Sequence, residues 1–389
     1  MSRYYSYLNT TKEVVSSYKG EIPLAAWLKQ FFAARKQMGS RDRREVSAMV
    51  YQYYRLGKLI DATFEERIAA ALFLCRQEPS ELLGLLNPTL NEQITLPIKE
   101  KVALIATKGI GNIFPFIDET EQTTKQEAFC LSHLIQPDLF VRIRTKHGVT
   151  VRRKLQEREI AFKELDNDCL SFSNATALDT VLSIDKEVVI QDYSSQQVGL
   201  FLSGLKNIKN VWDCCAASGG KSILAVDILG KLNLTLSDKR PTIINNLRKR
   251  LDKAGINQHK VFAADITKPF NELKGEKFDL IICDAPCSGS GTWGRTPENL
   301  ISFKKESIGE YAELQRKIVT NAIPYLATKG YFLYITCSVY KAENEEVVSY
   351  ILTKFPHLSL VKKQLIEGYE KRADTMYAAL FQLSVNSNQ

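Results

Sequence analysis

Histidine is scarce in this chain of 389 residues: His133, His147, His259 and His357 are the four, and no two of them have the spacing of a zinc-ligand pair. The eight cysteines form no repeat of CxxC pairs, so no metal is expected, and the adjacent Cys214 and Cys215 are not expected to bridge each other. No apolar run reaches the length that crosses a membrane, and Met1-Ser2-Arg3-Tyr4-Tyr5 opens no signal peptide. The expected setting is therefore a reducing, soluble one, the cytoplasm. Internal repeats are absent, as is low-complexity sequence beyond the polar end Asn386–Gln389.

What the chain does have is a basic excess. Its 52 Lys and Arg against 44 Asp and Glu give a formal net charge of +8. A hydrophobic fraction of 44% suits a globular core, and the length suits two to three domains. The positive charge is uneven. Residues 1–58 hold eleven Lys/Arg against four Asp/Glu. Residues 142–158 hold Arg142, Arg144, Lys146, Arg152, Arg153, Lys154 and Arg158 against Glu157 alone. Two readings stand: solvated faces, or a track for the phosphate backbone of a nucleic acid.

Residues 1–125 read as helical. Leu24, Leu28, Phe31 and Phe32 recur at helical spacing, as do Val46, Met49, Val50, Tyr53 and Tyr54, and such stripes mark a core. Ser40, ahead of Arg41-Asp42-Arg43-Arg44-Glu45, is the expected helix cap. Residues 126–190 read as a small α+β module. In it Leu139–Arg144 alternates apolar and basic residues like a half-exposed strand, and Val151–Glu159 reads as a basic helix. Leu170–Phe172 and Val188–Ile190 read as further short strands, and the basic face is a candidate to hold RNA.

Residues 191–389 alternate short apolar runs with helical patterns. The runs are Asn210–Asp213, Leu234–Asp238, Val261–Asp265, Phe278–Asp284 and Tyr331–Thr336, with helices at Lys221–Leu229 and Thr242–Ala254. This alternation predicts an α/β fold, a doubly wound and mainly parallel sheet whose ligands bind beyond the carboxyl ends of the strands. Four of the five runs end in a carboxylate and the fifth leads into Cys337.

After Asp213 a loop of small residues leads into a helix. Ala216, Ala217, Gly219 and Gly220 allow a ligand close to the backbone, and the helix start offers free N–H groups. Asp238 is placed to take the two hydroxyls of a ribose, and Asp265 to accept from an adenine amino group. These parts suit S-adenosyl-L-methionine, although a dinucleotide would use similar ones. Gly220-Lys221-Ser222 imitates the end of a P-loop, but Cys215 stands where its first glycine is required, and GxGxxG is absent. A merely structural Gly-Gly turn is the remaining alternative.

Three segments then carry a family resemblance: Asp213-Cys214-Cys215-Ala216-Ala217-Ser218-Gly219-Gly220-Lys221-Ser222, Asp284-Ala285-Pro286-Cys287-Ser288-Gly289-Ser290-Gly291, and Tyr334-Ile335-Thr336-Cys337-Ser338 followed by Glu343-Asn344-Glu345. Together they resemble the NOP/Sun (RsmB-like) family of RNA 5-methylcytosine methyltransferases. The resemblance implies a Rossmann-like class I methyltransferase sheet over 191–389. A small α+β module at 126–190 and an N-terminal helical, NusB-like RNA-binding domain at 1–125 would precede it. The last of these rests on Gly39-Ser40-Arg41-Asp42-Arg43 ahead of Val50-Tyr51 and Tyr54-Arg55. It further implies that Cys215, Ala216, Ala217, Ser218, Gly219, Gly220 and Lys221 contact the methionine part of the cofactor, Asp238 its ribose and Asp265 its adenine region. Ser218 stands where the family has proline.

The implied chemistry turns on the two cysteines. Carbon 5 of cytosine is a poor nucleophile until a thiolate adds at carbon 6. By the resemblance Cys337 is that nucleophile and Cys287 assists loss of the carbon 5 proton and release. Asp284 would hydrogen-bond the ring-nitrogen edge, oriented by Lys221. The residues alone do not tell which cysteine attacks. Trp293 and Tyr340, near the motifs, are candidates for stacking on a base or for core packing, and Arg295 for a phosphate contact. Small-subunit (16S) ribosomal RNA is the expected substrate, with transfer RNA as the alternative. An RNA-binding ribosome assembly factor with dispensable catalysis, and methylation of DNA or of uracil, are the other readings.

Overall fold

The computed structural model describes residues 3–120 and 125–384, so the polar end Asn386–Gln389 lies outside the described residues. Contacts divide the chain into two compact units. One comprises Met1–Gln136 with Thr292–Lys305, the other Pro137–Gly291 with Glu306–Gln389.

The first unit is helical. The stripes on Leu24–Ala33 and Ser40–Arg55 are its core, with Leu24, Leu28, Phe31, Phe32, Val46, Met49, Val50 and Tyr54 buried. The second of these helices is capped one residue before the expected position. Gly39 is the N-cap in extended backbone, and its N–H donates to the Asp42 carboxylate at 3.3 Å, so Ser40 is already helical. Phe64–Cys75 opens on a reciprocal cap: Thr63 N–H donates to Glu66 at 2.9 Å and Glu66 N–H to the Thr63 hydroxyl at 3.4 Å.

Residues 292–305 join this unit from far along the chain. The N–H of Leu24 donates to Glu298 at 3.1 Å, and Trp293 packs against Phe114 and Phe303 with ring centroids 5.2 and 4.7 Å apart. Trp293 is 1% exposed, so it is a core residue here and not a platform for a base.

In the second unit β1 (Leu139–Ile143), β2 (Lys163–Asp166), β3 (Cys169–Phe172) and β4 (Val188–Ile190) form a sheet in the order β2-β3-β1-β4. The alternation in β1 does not mark a half-exposed strand. Arg142 and Arg144 both turn onto the carboxylate of Asp227, at 2.6 and 2.8 Å, and none of the three side chains is more than 12% exposed. Arg152 pairs with Glu164 at 2.6 Å and Lys154 with Glu187 at 2.7 Å. Arg153 adds a looser pair with Glu157 at 3.8 Å, so five of the seven basic residues of 142–158 pair with carboxylates within the protein, and Arg142 and Arg144, turned inward onto Asp227, are withdrawn from any open phosphate track.

The second sheet contains β5 (Asn210–Asp213), β6 (Asn233–Asp238), β7 (His259–Ala263), β8 (Phe278–Asp284), β9 (Leu326–Thr336), β10 (Leu358–Glu367) and β11 (Thr375–Leu383). Its order is β10-β11-β9-β8-β5-β6-β7. The strands β5 to β9 run parallel, while β11 is antiparallel to β9 and β10 to β11. The period of two sends Val211, Leu280 and Ile282 to one face, under the helices Gly220–Leu229 and Pro241–Lys253. Trp212, Ile281 and Cys283 go to the other, with Ile318, Val319 and Val347. The chain leaves β5 for β6 and β7 on one side and returns to β8 on the other. That reversal opens a crevice beyond the carboxyl ends of β5 and β8.

The α/β expectation with a parallel-dominated sheet is borne out. One end differs: β7 stops at Ala263, and Asp265 lies on the loop beyond it. Among the described residues no helix is long and apolar enough to cross a membrane.

Candidate active site

The crevice holds a cavity of about 420 Å³ lined by Cys215, Ala217, Asp238, Asp265, Asp284 and Pro286, with Leu314 and Ile318 closing an apolar side. Each polar wall residue sits at or just past a strand end, where the sheet hydrogen bonding stops and side chains are free to face a ligand. The loop after β5 is tightly set. Gly219 has φ +82°, and a Cβ there would lie 2.5 Å from Leu247, so only glycine combines this turn with this helix packing. Ala217 is held at φ +44°, a rare conformation for a residue with a Cβ. Ser218 hydrogen-bonds Arg250 at 2.8 Å through its hydroxyl, so the loop is tied down at that position by a side-chain contact.

Asp238 accepts from the N–H of Ala217 at 3.1 Å and from the N–H of Arg240 at 2.9 Å. Burial works to raise its pKa, but the Arg240 guanidinium and these donors outweigh it and hold the carboxyl below the usual range. Asp265 is also held down, by the Thr267 hydroxyl and by Lys239 at 3.0 Å. Both carboxylates are therefore fixed as anions on the cavity wall, and the side chains of Arg240 and Lys239 are largely exposed.

Lys221 donates to Asp284 at 3.1 Å and to the hydroxyl of Ser195 at 2.7 Å. Its side chain is nearly buried, and Gln191 in turn donates to Ser195 at 3.2 Å. Asp284 thus has one oxygen fixed by a cation that is itself fixed.

The sulfurs of Cys287 and Cys337 lie 3.2 Å apart. Two loops bring them together, one after β8 and one after β9, and these strands are hydrogen-bonded neighbours. The N–H of Gly291 donates to the carbonyl of Cys337 at 2.8 Å. A Cβ on Gly291 would fall 2.0 Å from the carbonyl oxygen of Thr375, so the approach demands glycine. Glu343 completes the tie. It accepts from the N–H of Ser288 at 2.8 Å, from the Ser288 and Ser338 hydroxyls at 2.5 and 2.6 Å, and from Gln315 at 3.1 Å. Burial raises the Glu343 carboxyl above its usual range in spite of these donors. The Cys287 thiol is pushed well up by its hydrogen bond to Cys337 and by burial, and either sulfur can be the donor across the gap.

The other cysteines separate cleanly. Cys75, Cys130 and Cys169 are each pushed up to about 12 by burial, the behaviour of packing residues. Of the aromatic candidates, Tyr340 is fully buried within the second unit, as Trp293 is nearly so within the first. Ser195, Gln315, Ser288, Ser338 and Glu343 support the site and had no assigned role in the sequence. Ser288, Ser338 and Glu343 lie within the segments that carry the resemblance, whereas Ser195 and Gln315 lie outside them.

Residues 201–383 match the family model of 16S rRNA methyltransferase RsmB/F. The probable ribosomal RNA small subunit methyltransferase B of Bacillus subtilis (strain 168) is 29% identical over 248 residues, covering 61% of this chain and 55% of that protein. The tRNA (cytosine(72)-C(5))-methyltransferase NSUN6 of Homo sapiens is 32% identical over 164 residues, covering 39% of this chain and 34% of that protein. The chain therefore aligns with about half or less of the length of these curated relatives. Among solved structures, PH0851 superposes with a TM-score of 0.73 at 19% identity, covering 98% of this chain and 99% of the other, a likeness of fold.

Proposed function

We propose that this protein transfers a methyl group from S-adenosyl-L-methionine to carbon 5 of cytosine in RNA, a reading supported by the match of residues 201–383 to the RsmB/F methyltransferase family model. The observation that carries the reading is the Cys287–Cys337 contact at 3.2 Å, at the ends of adjacent strands and beside the cavity. A structural role alone would not require two thiols held together by a buried glutamate.

The cavity fits the cofactor in kind. Asp238 offers an anionic acceptor for ribose hydroxyls, Asp265 one for the adenine region, and Leu314 and Ile318 an apolar wall for the ring. The loop Cys215 to Lys221, through Ala216, Ala217, Ser218, Gly219 and Gly220, borders the methionine end. Bound there, the cofactor supplies an electrophilic methyl on a sulfonium.

The protein's own groups do the rest. Cys337 adds as a thiolate to carbon 6, leaving Cys287 as the partner that retains its proton. Asp284, oriented by Lys221, hydrogen-bonds the ring-nitrogen edge and stabilises charge that develops there. Once carbon 5 is methylated, Cys287 assists transfer of the carbon 5 proton to solvent water; the C–H electron pair re-forms the 5,6 double bond, the C6–S bond breaks, and Cys337 leaves as a thiolate hydrogen-bonded by Cys287. The target base must leave any stack to meet these groups, so a single-stranded or opened segment is the cheaper substrate.

In this reading 191–389 is the catalytic domain, 126–190 a small accessory module and 1–125 an RNA-binding helical domain of NusB type. Small-subunit rRNA is the preferred substrate, since a relative named for that reaction is similar over the longer stretch. Transfer RNA is the second reading, favoured by the similarity to a tRNA enzyme over 164 residues. Incubation with methyl-labelled cofactor and either purified small-subunit rRNA or tRNA, followed by bisulfite sequencing, tests both. Label at one cytosine of the rRNA supports the proposal. Label in tRNA alone moves the substrate, and label in neither removes the enzymatic reading in favour of a binding factor.

A further inference from the structure

A second group of thiols stands on the cavity wall, apart from the Cys287–Cys337 pair. Cys214 and Cys215 follow β5 directly, and Cys283 is the penultimate residue of β8, the parallel neighbour of β5. The N–H of Cys214 donates to the carbonyl of Ile282 at 2.9 Å, which fixes the two strand ends against each other. The three sulfurs all lie within 4.8 Å of one another. Cys214 and Cys283 are buried and Cys215 half-buried, none is in a disulfide, and Cys214 and Cys215 both line the cavity. The absence of CxxC pairs from the sequence says nothing of such a site, because its members come from two separate strands.

The surroundings carry charge of both signs. Asp213 and Asp284 flank the cysteines in the chain, and Asp238 lines the same cavity. Against them stand Lys221, paired with Asp284, and Arg240, paired with Asp238. One oxygen of Asp213 is buried without a hydrogen-bond partner.

We infer that Cys214, Cys215 and Cys283 form a site for one Zn²⁺ ion, with its fourth coordination position open to the cavity. Zn–S bonds of about 2.3 Å in a tetrahedron set sulfurs roughly 3.8 Å apart. From separations within 4.8 Å, side-chain rotation of about an ångström closes the set. Thiolate donors exclude Mg²⁺ and Ca²⁺, and three protein ligands with one open position is an established zinc pattern. On binding, three S–H bonds break, three protons leave to solvent and three Zn–S bonds form, with no change of oxidation state. An ion there occupies the wall that borders the methionine end of the cofactor, so zinc and cofactor compete. The competition rests on the proposed cofactor reading; the metal site does not.

The full-length reduced protein is titrated with Zn²⁺ against a chromophoric chelator, and with Co²⁺ as a spectroscopic substitute. The expected result is one retained equivalent and a thiolate-to-cobalt charge-transfer band, both lost in Cys214→Ala and Cys283→Ala. Cys283→Leu, which keeps the core filled, replaces the alanine variant if that unfolds. Alkylation mapped by mass spectrometry on the unaltered chain should show Zn²⁺ protecting these three cysteines together. No retained metal, retention undiminished in Cys283→Leu, or no joint protection overturns the site. Cofactor affinity should weaken at least tenfold at saturating Zn²⁺ and be indifferent to it in Cys283→Leu. One bound equivalent with unchanged cofactor affinity overturns the competition, whereas a chain that binds zinc but never the cofactor overturns the cofactor reading.

Discussion

The sulfurs of Cys287 and Cys337 lie 3.2 Å apart although fifty residues separate them in the chain. Neither loop holds that distance by itself. Glu343 ties the two by accepting from the residue after each cysteine, Ser288 and Ser338, and the N–H of Gly291 adds its bond to the Cys337 carbonyl.

Glu343→Gln keeps the volume but turns one acceptor into a donor facing donors. A stranded buried donor costs about 1–3 kcal/mol. Turnover is expected to fall about ten- to a hundredfold, with cofactor affinity unchanged because Glu343 does not line the cavity. Turnover measured beside cofactor binding by calorimetry checks this; a loss confined to cofactor affinity would contradict it.

Asp227 neutralises two guanidiniums at once, Arg142 and Arg144. Removing one partner of a buried ion pair costs about 3–5 kcal/mol. Asp227→Ala should therefore lower the unfolding free energy by about that much, as read by urea denaturation. Arg153→Ala, at a largely exposed position, should change it by less than about 0.5 kcal/mol.

The same pair shows what the sequence could and could not carry. The β8 run Phe278–Asp284 is legible because a strand buried on both faces is apolar throughout. β1 is equally buried but reads as half-exposed, since the carboxylate that neutralises its Arg142, and Arg144 just beyond it, lies on a helix more than eighty residues away. Likewise Cys287 and Cys337 stand out by motif, whereas Glu343 gains its meaning only when two loops meet. The packing of Trp293 against Phe114 depends on a segment returning to the helical unit, which no periodicity announces.

His133 links stability to pH. It is buried against Phe114 and Phe129, and burial lowers its pKa from 6.5 to about 4 although its ring hydrogen-bonds the Phe129 carbonyl at 2.9 Å. The folded chain therefore binds fewer protons than the unfolded chain between these values. The stability this contributes is present above about pH 6.5 and is lost as pH falls toward 4, at up to about 1.4 kcal/mol per unit. His133→Asn, which cannot titrate, should show a shallower loss over that window in pH-resolved denaturation. Parallel curves would contradict the assignment.

Gly291 marks a contact that admits no side chain. With a Cβ 2.0 Å from the Thr375 carbonyl, Gly291→Ala must push β11 away from the cysteine loops. A destabilisation of about 1–3 kcal/mol from overpacking is expected, together with loss of turnover. Thermal melts and activity taken on the same preparation check it; an alanine variant with unaltered turnover would contradict the close approach.

The central claim, that Cys337 attacks the base and Cys287 supports its release, is tested most directly by Cys287→Ala expressed in a bacterial host. Extracts are run on a denaturing gel with and without ribonuclease. The account predicts a protein band shifted by covalent RNA, abolished by ribonuclease and absent from Cys287→Ala/Cys337→Ala. A folded, cofactor-binding Cys287→Ala that turns over normally on RNA and forms no adduct, or an adduct that persists when Cys337 is also replaced, would contradict it.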